Sequence, residues 1–181
     1  MTASAALQPA HCKIKLFDAS RIKQLASLRK HLHTLEKGVG MKVCGVTIKS
    51  NVAQLAIVED TEDGPILVNC GTKKIELADD KNAADIRSFL HSIKTFAHEN
   101  GIDTFAIKAR AHGGQMAGGA VSFKIETLIQ LVEDCDCILV NAVALSKFAD
   151  KNVAGLPAGL LKYQEDAYRC AAYHMHKGGL I

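Results

Sequence analysis

The residues best suited to chemistry lie between Asp103 and Val132, in the stretch DTFAIKARAHGGQMAGGAVSFKIETLIQLV. Thr104 to Ala109 reads as a strand, Gly113, Gly114, Gly118 and Gly119 as a loop, and the remainder as an amphipathic helix. A helix start offers unpaired N–H groups and a positive dipole end, and glycines let a ligand approach the backbone. The chemistry to expect is anion binding. Lys108, Arg110 and His112 lead into the loop and Lys124 follows it, adding positive charge to the same surface. Two plainer readings stand beside this one. The glycines serve close packing and a sharp turn, and His112 is a solvated loop histidine rather than a general acid or base.

Other site chemistries find less support. Gly113 and Gly118 have the spacing of a phosphate-binding loop, but Gly119-Ala120 replace its Lys and Ser/Thr. No G-x-G-x-x-G or G-x-S-x-G pattern is present. The six cysteines are scattered, several of them within apolar runs, as reduced core thiols are. Cys135 and Cys137 lack the two-residue spacer of zinc knuckles, although His174 and His176 would complete a four-ligand set. Core thiols are the expectation, with no metal.

The 181 residues suit one domain large enough for its own core. With 48% apolar and 23% charged residues the composition is that of an ordinary globular protein. A net charge of +3 allows a nucleic-acid or phosphate partner without requiring one. No tryptophan and 5% aromatics argue against stacking on single strands, leaving phosphate contacts to dominate. Apolar runs such as Cys137 to Leu145 are too short to span a bilayer, and MTASAALQPAHCK does not open as a signal segment. The expectation is a cytoplasmic protein with no membrane partner.

The elements that must position these groups can be read in order. Residues 1–19 read as a loose arm. From a Ser20 N-cap to Lys37, Ile22, Leu25, Leu28, Leu32 and Leu35 define a helix with a basic polar side. That helix is a docked element, a dimer contact or a phosphate-contacting surface. Met41-Lys-Val-Cys-Gly reads as a domain start, giving an arm over 1–40 and a domain over 41–181. Val43 to Ile48 and Val52 to Glu59 form a hairpin around Lys49-Ser50-Asn51. Ile66 to Leu77 is a third strand, broken near Gly71. Asp79 or Asp80 caps a helix with Ile86, Phe89, Leu90, Ile93 and Ala97 inward, closed by Asn100-Gly101. After the glycine-loop unit, Cys137 to Val140 is wholly apolar, which predicts a buried central strand. A short helix over Val143 to Phe148 and a turn at Gly155-Leu156-Pro157 follow. The last helix, Leu160 to His176, places Tyr163, Ala167, Cys170, Ala171 and His174 on one side. Three hairpin-linked strands followed by crossover-linked ones predict an α/β mixed sheet with helices on both faces.

That order resembles the ribonuclease H-like fold. VCGVTIKSNVAQLAIVE is similar to the opening hairpin, and EDAYRCAAYH to the last helix, of its Holliday-junction-resolvase-like branch. MKVCGVTIK and AGGAVSFKIETLIQL together resemble a small bacterial family, domain of unknown function 3010, over about Met41 to Ile181. The resemblance implies two divalent metals held by several carboxylates, with Asp166 as one of them. It also implies acids near the ends of strands one and four, where this sequence has Thr47 and Lys108-Ala109-Arg110. A lysine in place of a ligand repels a metal. The expectation is therefore a catalytically degenerate domain, without cofactor, that binds nucleic acid or another phosphate-bearing ligand. One alternative is an Mg2+- or Mn2+-dependent nuclease or phosphotransfer enzyme using Asp166 with Glu126 and Glu165. Another is a scaffold that forms a homodimer through the N-terminal helix. Asp166 has a plain reading too, as a solvated helix carboxylate or an ion-pair partner of Lys162 or Arg169.

Overall fold

A computed structural model describes residues 40–111, 113, 118–152 and 155–178. The arm and basic helix expected before residue 40, with the self-association expected of them, lie outside the described residues, as do His112 and Gly114. The chain divides into two units, Met1–Gly38 and Val39–Ile181, and the described strands and helices all belong to the second.

Strands β1 (Lys42–Lys49) and β2 (Val52–Glu59) form the expected hairpin, paired in register from Lys42↔Glu59 to Lys49↔Val52. The turn is tight enough to hold Ser50 at φ 57°. Asn51 fastens it by donating from Nδ2 to Glu76 Oε1 at 2.9 Å and to the Leu77 carbonyl at 3.0 Å. The broken third strand is real. β3 (Ile66–Val68) and β4 (Lys74–Glu76) both pair with the outer edge of β2, separated by a loop over 69–73.

β5 (Thr104–Lys108) and β6 (Asp136–Val140) join β1 in parallel, giving the order β3-β2-β1-β5-β6 with β4 also on β2. β6 is thus an edge strand, not the central one its apolar run predicts, and its Leu139 is 48% exposed. An apolar run reports what its side chains can pack against, here Val140 against the helix residues Leu145, Cys170 and Met175, and not the strand's place in the sheet order.

Helix α1 (Ala83–Asn100) precedes β5, α2 (Ala120–Gln130) precedes β6, and α3 (Ala142–Asn152) and α4 (Glu165–Lys177) close the chain, the last after a 3-10 turn at Lys162–Gln164. The cap of α1 is Asn82, not Asp79 or Asp80: its Oδ1 accepts from the Ala84 N–H at 2.9 Å. Asp79 instead accepts from the Lys81 N–H. Gly101 ends α1 at φ 63°, as expected of a left-handed cap. α3 starts one residue before its expected bound, where Asn141 Oδ1 accepts from the Val143 and Ala144 N–H groups, and runs four residues beyond Phe148 to Asn152.

Two cores result. Val46, Ile48, Leu55, Ile57, Phe105 and Ile107 pack with Phe89 and Ile93 of α1 and Ile125 and Ile129 of α2. Val43, Val58, Ala106 and Val140 pack with Leu145 of α3 and Cys170, Ala171 and Met175 of α4. α2 and α4 therefore lie on opposite faces of the sheet. The buried side of α4 is Ala167, Cys170, Ala171, Ala172 and Met175; Tyr163 precedes the helix and His174 is only half-buried. Among the described residues no helix is long and apolar enough to cross a membrane.

Candidate functional site

Strand alternation decides which side chains meet. Val43 and Ala106 face α4, and a period of two carries Thr47 and Lys108 to the same face, at the neighbouring ends of β1 and β5. The first turn of α4 sits over them and brings Glu165 and Asp166. A cleft of about 450 Å³ opens there, lined by Thr47, Ile48, Lys49, Gln54, Lys108, Arg110, Lys162, Tyr163, Glu165 and Asp166.

Lys108 Nζ donates to Asp166 Oδ2 at 2.5 Å, and Arg169 Nη1 to Asp166 Oδ1 at 3.3 Å. Arg169 also pairs with Glu165 at 3.6 Å. Burial raises the Asp166 pKa, but the Lys108 bond and charge, aided by Arg169, outweigh it and hold the carboxyl below its usual range. A depressed folded-state pKa contributes stability above the ordinary carboxylate range, lost as pH falls through the depressed value. The plain reading of Asp166 as an ion-pair partner holds for Arg169, and Lys108 joins it in place of Lys162.

The remaining charge is unbalanced. Lys49, Arg110 and Lys162 form no ion pair among the described residues, and Arg110 Nε is buried there without a hydrogen-bond partner. The floor is polar but uncharged: Thr47 is 8% exposed and donates from Oγ1 to Gln54 Oε1 at 3.3 Å.

The residues expected to form one anion surface are divided by the sheet. Lys108 and Arg110 reach the cleft; of the described loop glycines, Gly113, Gly118 and Gly119, none lines it. Gly118 sits closely, since a Cβ there would lie 3.0 Å from Arg110 Cβ and 3.1 Å from Ser122 Oγ and those side chains would have to give way. No described residue lies within 4 Å of a Cβ at Gly113 or Gly119, and none of the three has a positive φ, so conformational freedom does not explain them. Lys124, on the α2 face, donates to Asp80 Oδ2 at 2.6 Å and to the Asp80 carbonyl at 2.7 Å. Glu126 lies on α2 as well, across the sheet from Asp166. Only Glu165, of its two expected carboxylate partners, shares the cleft.

The residues present do not fit the two-metal centre that the resemblance implies. Thr47 and Lys108 stand where the resemblance implies acids, and the Asp166 carboxylate already accepts from an ammonium and a guanidinium. A divalent cation requires several oxygen ligands. Among the described residues no three His, Cys, Asp or Glu side chains converge as metal ligands. Cys135 Sγ donates to the Ile102 carbonyl, and burial pushes the Cys135 and Cys137 thiols up to about 11.

Residues 41–174 match the model of a family described as "Protein of unknown function (DUF3010)". The chain belongs to the DUF3010 family. No curated protein matches it. Among solved structures, the DUF3010 chain is similar to the Thermus thermophilus RuvC structure at 10% identity and TM-score 0.60, over 77% of this chain and 98% of that one. It is also similar to T. thermophilus RuvC in complex with Holliday junction substrate, at 11% identity and TM-score 0.56, over 77% and 97% of the two chains. The fold is ribonuclease H-like.

Sequence reasoning missed a residue of the DUF3010 chain that holds the site together. Where the loop over 69–73 interrupts the outer strand, Gln164 supplies the missing partner: its Nε2 donates to the Leu55 carbonyl at 2.6 Å, and its Oε1 accepts from the Leu161 N–H at 3.3 Å. Gln164 is 4% exposed and immediately precedes Glu165 and Asp166. Gln164→Leu should leave the buried carbonyl unpaired and cost about 1–3 kcal/mol. A urea midpoint indistinguishable from the parent protein would show that the latch is not needed.

Proposed function

We propose that the DUF3010 chain is a nucleic-acid-binding domain, catalytically degenerate, that grips backbone phosphates in the cleft between β1, β5 and α4. One observation supports this reading above the rest: Lys49, Arg110 and Lys162 converge on a cleft whose two acids are already engaged by Lys108 and Arg169. The net field is positive, and a phosphodiester supplies acceptors for the Lys49, Arg110 and Lys162 side chains that form no ion pair among the described residues. The T. thermophilus RuvC bound to Holliday junction substrate makes branched DNA the first ligand to try.

Phosphate-dominated binding falls steeply with salt, as condensed counterions are released. Titration of labelled duplex DNA and a four-way junction at about 50 and about 200 mM salt should show a Kd weakened by at least about tenfold at the higher concentration. Absence of binding at the lower one would sink the proposal.

A second reading is favoured by the adjacency of Glu165 and Asp166 in the same cleft. It is a metal-dependent nuclease or phosphotransfer enzyme built on those two acids. It requires Mg2+- or Mn2+-dependent cleavage that Asp166→Asn abolishes, and cleavage that persists in chelator rules it out.

A further inference from the structure

We infer that Lys108 is a built-in cation: its ammonium takes the place beside Asp166 that a divalent ion would need, so that the cleft takes phosphate esters without metal. This rests on the reading of the cleft as a nucleic-acid phosphate site and specifies how that site works.

Each oxygen of the Asp166 carboxylate is already engaged by a cationic side chain. Oδ2 accepts from Lys108 Nζ at 2.5 Å and Oδ1 from Arg169 Nη1 at 3.3 Å. Arg169 is itself fixed by Glu165 at 3.6 Å. A metal ion entering here would have to displace an ammonium and then sit beside a guanidinium that also holds Glu165, the cleft's other carboxylate, with Thr47 and Gln54 as the uncharged oxygen donors on the floor. Divalent ions bound by protein normally recruit carboxylates to offset their charge, and this site offers the reverse.

The tethered ammonium can do the electrostatic part of a metal's task. Lysine has three N–H donors, and the bond to Asp166 uses one. The others remain for a phosphate oxygen. Anchoring by Asp166 fixes the flexible side chain at the strand end, so less rotamer freedom is lost when a ligand arrives. Lysine cannot, however, hold a water at low pKa as a metal does, so it binds phosphate without generating a nucleophile.

Two measurements test the inference. Anisotropy titration of labelled duplex DNA, in EDTA and in magnesium at matched ionic strength, should give a Kd in EDTA no weaker than that in magnesium, whose divalent ions compete for the phosphates as counterions. Manganese calorimetry on the native protein should show no site. Lys108→Asp places a second carboxylate beside Asp166 and should create a manganese site that a further Asp166→Asn change removes. If Lys108→Asp does not fold, Lys108→Met serves instead. Its DNA affinity in EDTA should fall by about tenfold, the worth of one charge-assisted hydrogen bond. DNA binding that requires magnesium, or a native manganese site lost in Asp166→Asn, overturns the inference. Failure to bind DNA in either buffer overturns the proposed function instead, and the manganese arm then still decides whether Lys108 excludes a metal.

Discussion

Gly45→Ala is expected to destabilise the domain by about 3 kcal/mol or more, a large part of the 5–15 kcal/mol that domains typically possess. An added Cβ at residue 45 would lie 1.7 Å from the Ala167 carbonyl oxygen, 2.6 Å from its carbon and 3.0 Å from the Ala171 nitrogen. These are backbone atoms of α4, and no rotamer change can move them aside. Gly45 has no positive φ, so the demand is for space alone. Relief requires α4 to lift from β1, which exposes Cys170, Ala171 and Met175 and withdraws Glu165 and Asp166 from the cleft. For a chain of this length the loss corresponds to a fall in Tm of about 6–12 °C. Gly71→Ala is the control, because nothing lies within 4 Å of a Cβ there, and it should stay within about 0.5 kcal/mol of the parent. A Gly45→Ala protein with the parent's denaturation midpoint would mean that α4 is not seated so closely.

Gly45 also marks the limit of what the chain discloses when read in order. Local patterns worked where the determining contacts are local: the β1–β2 hairpin, the break near Gly71 and the Gly101 cap each depend on a few neighbouring residues. The glycine before the Val-Thr-Ile run was visible as part of a resemblance, but its reason, a helix backbone far along the chain, was not. The same limit explains β6. The apolar run Cys137 to Val140 suggests packing on its faces, and says nothing of whether another strand lies beside it. Capping failed more locally: Asp79, Asp80 and Asn82 are all competent caps, and Asp80 is instead engaged by Lys124 from a distant helix.

The site was half legible for the same reason. Thr47, Lys108 and Asp166 were marked together only through resemblance, since nothing in their spacing joins three separate elements. The structure does bring them to one cleft. The linear stretch around the glycines suggested instead that Lys108, Arg110 and Lys124 act together, because closeness in sequence stood in for closeness in space. A strand end and the helix after it can serve opposite faces of a sheet, and here they do. Lys49, Gln54, Lys162 and Tyr163 went unnoticed as a group because a hairpin, a strand and a 3-10 turn each contribute only one or two of them.

These two surfaces can be told apart by charge reversal. Changing Lys49 and Lys162 together to glutamate should weaken DNA binding by about 100-fold and reduce the salt slope by about two, since each neutralised phosphate contact contributes a slope of about −0.9. Both lysines are exposed and neither forms an ion pair among the described residues, so their replacement should leave stability within about 1 kcal/mol. Reversal exceeds simple removal because two glutamates would join Glu165 and Asp166 in facing the phosphate. Lys124→Glu should behave the other way. It breaks the 2.6 Å bond to Asp80 and opposes like charges there, a change felt in the tie between α2 and the turn before α1. Its DNA affinity should remain within about threefold, because screening beyond a Debye length of about 8–10 Å mutes charges on the far face. Should Lys124→Glu weaken binding as much as the lysine pair does, phosphate is held on the glycine-loop side of the sheet, and the cleft over β1 and β5 serves α4 alone.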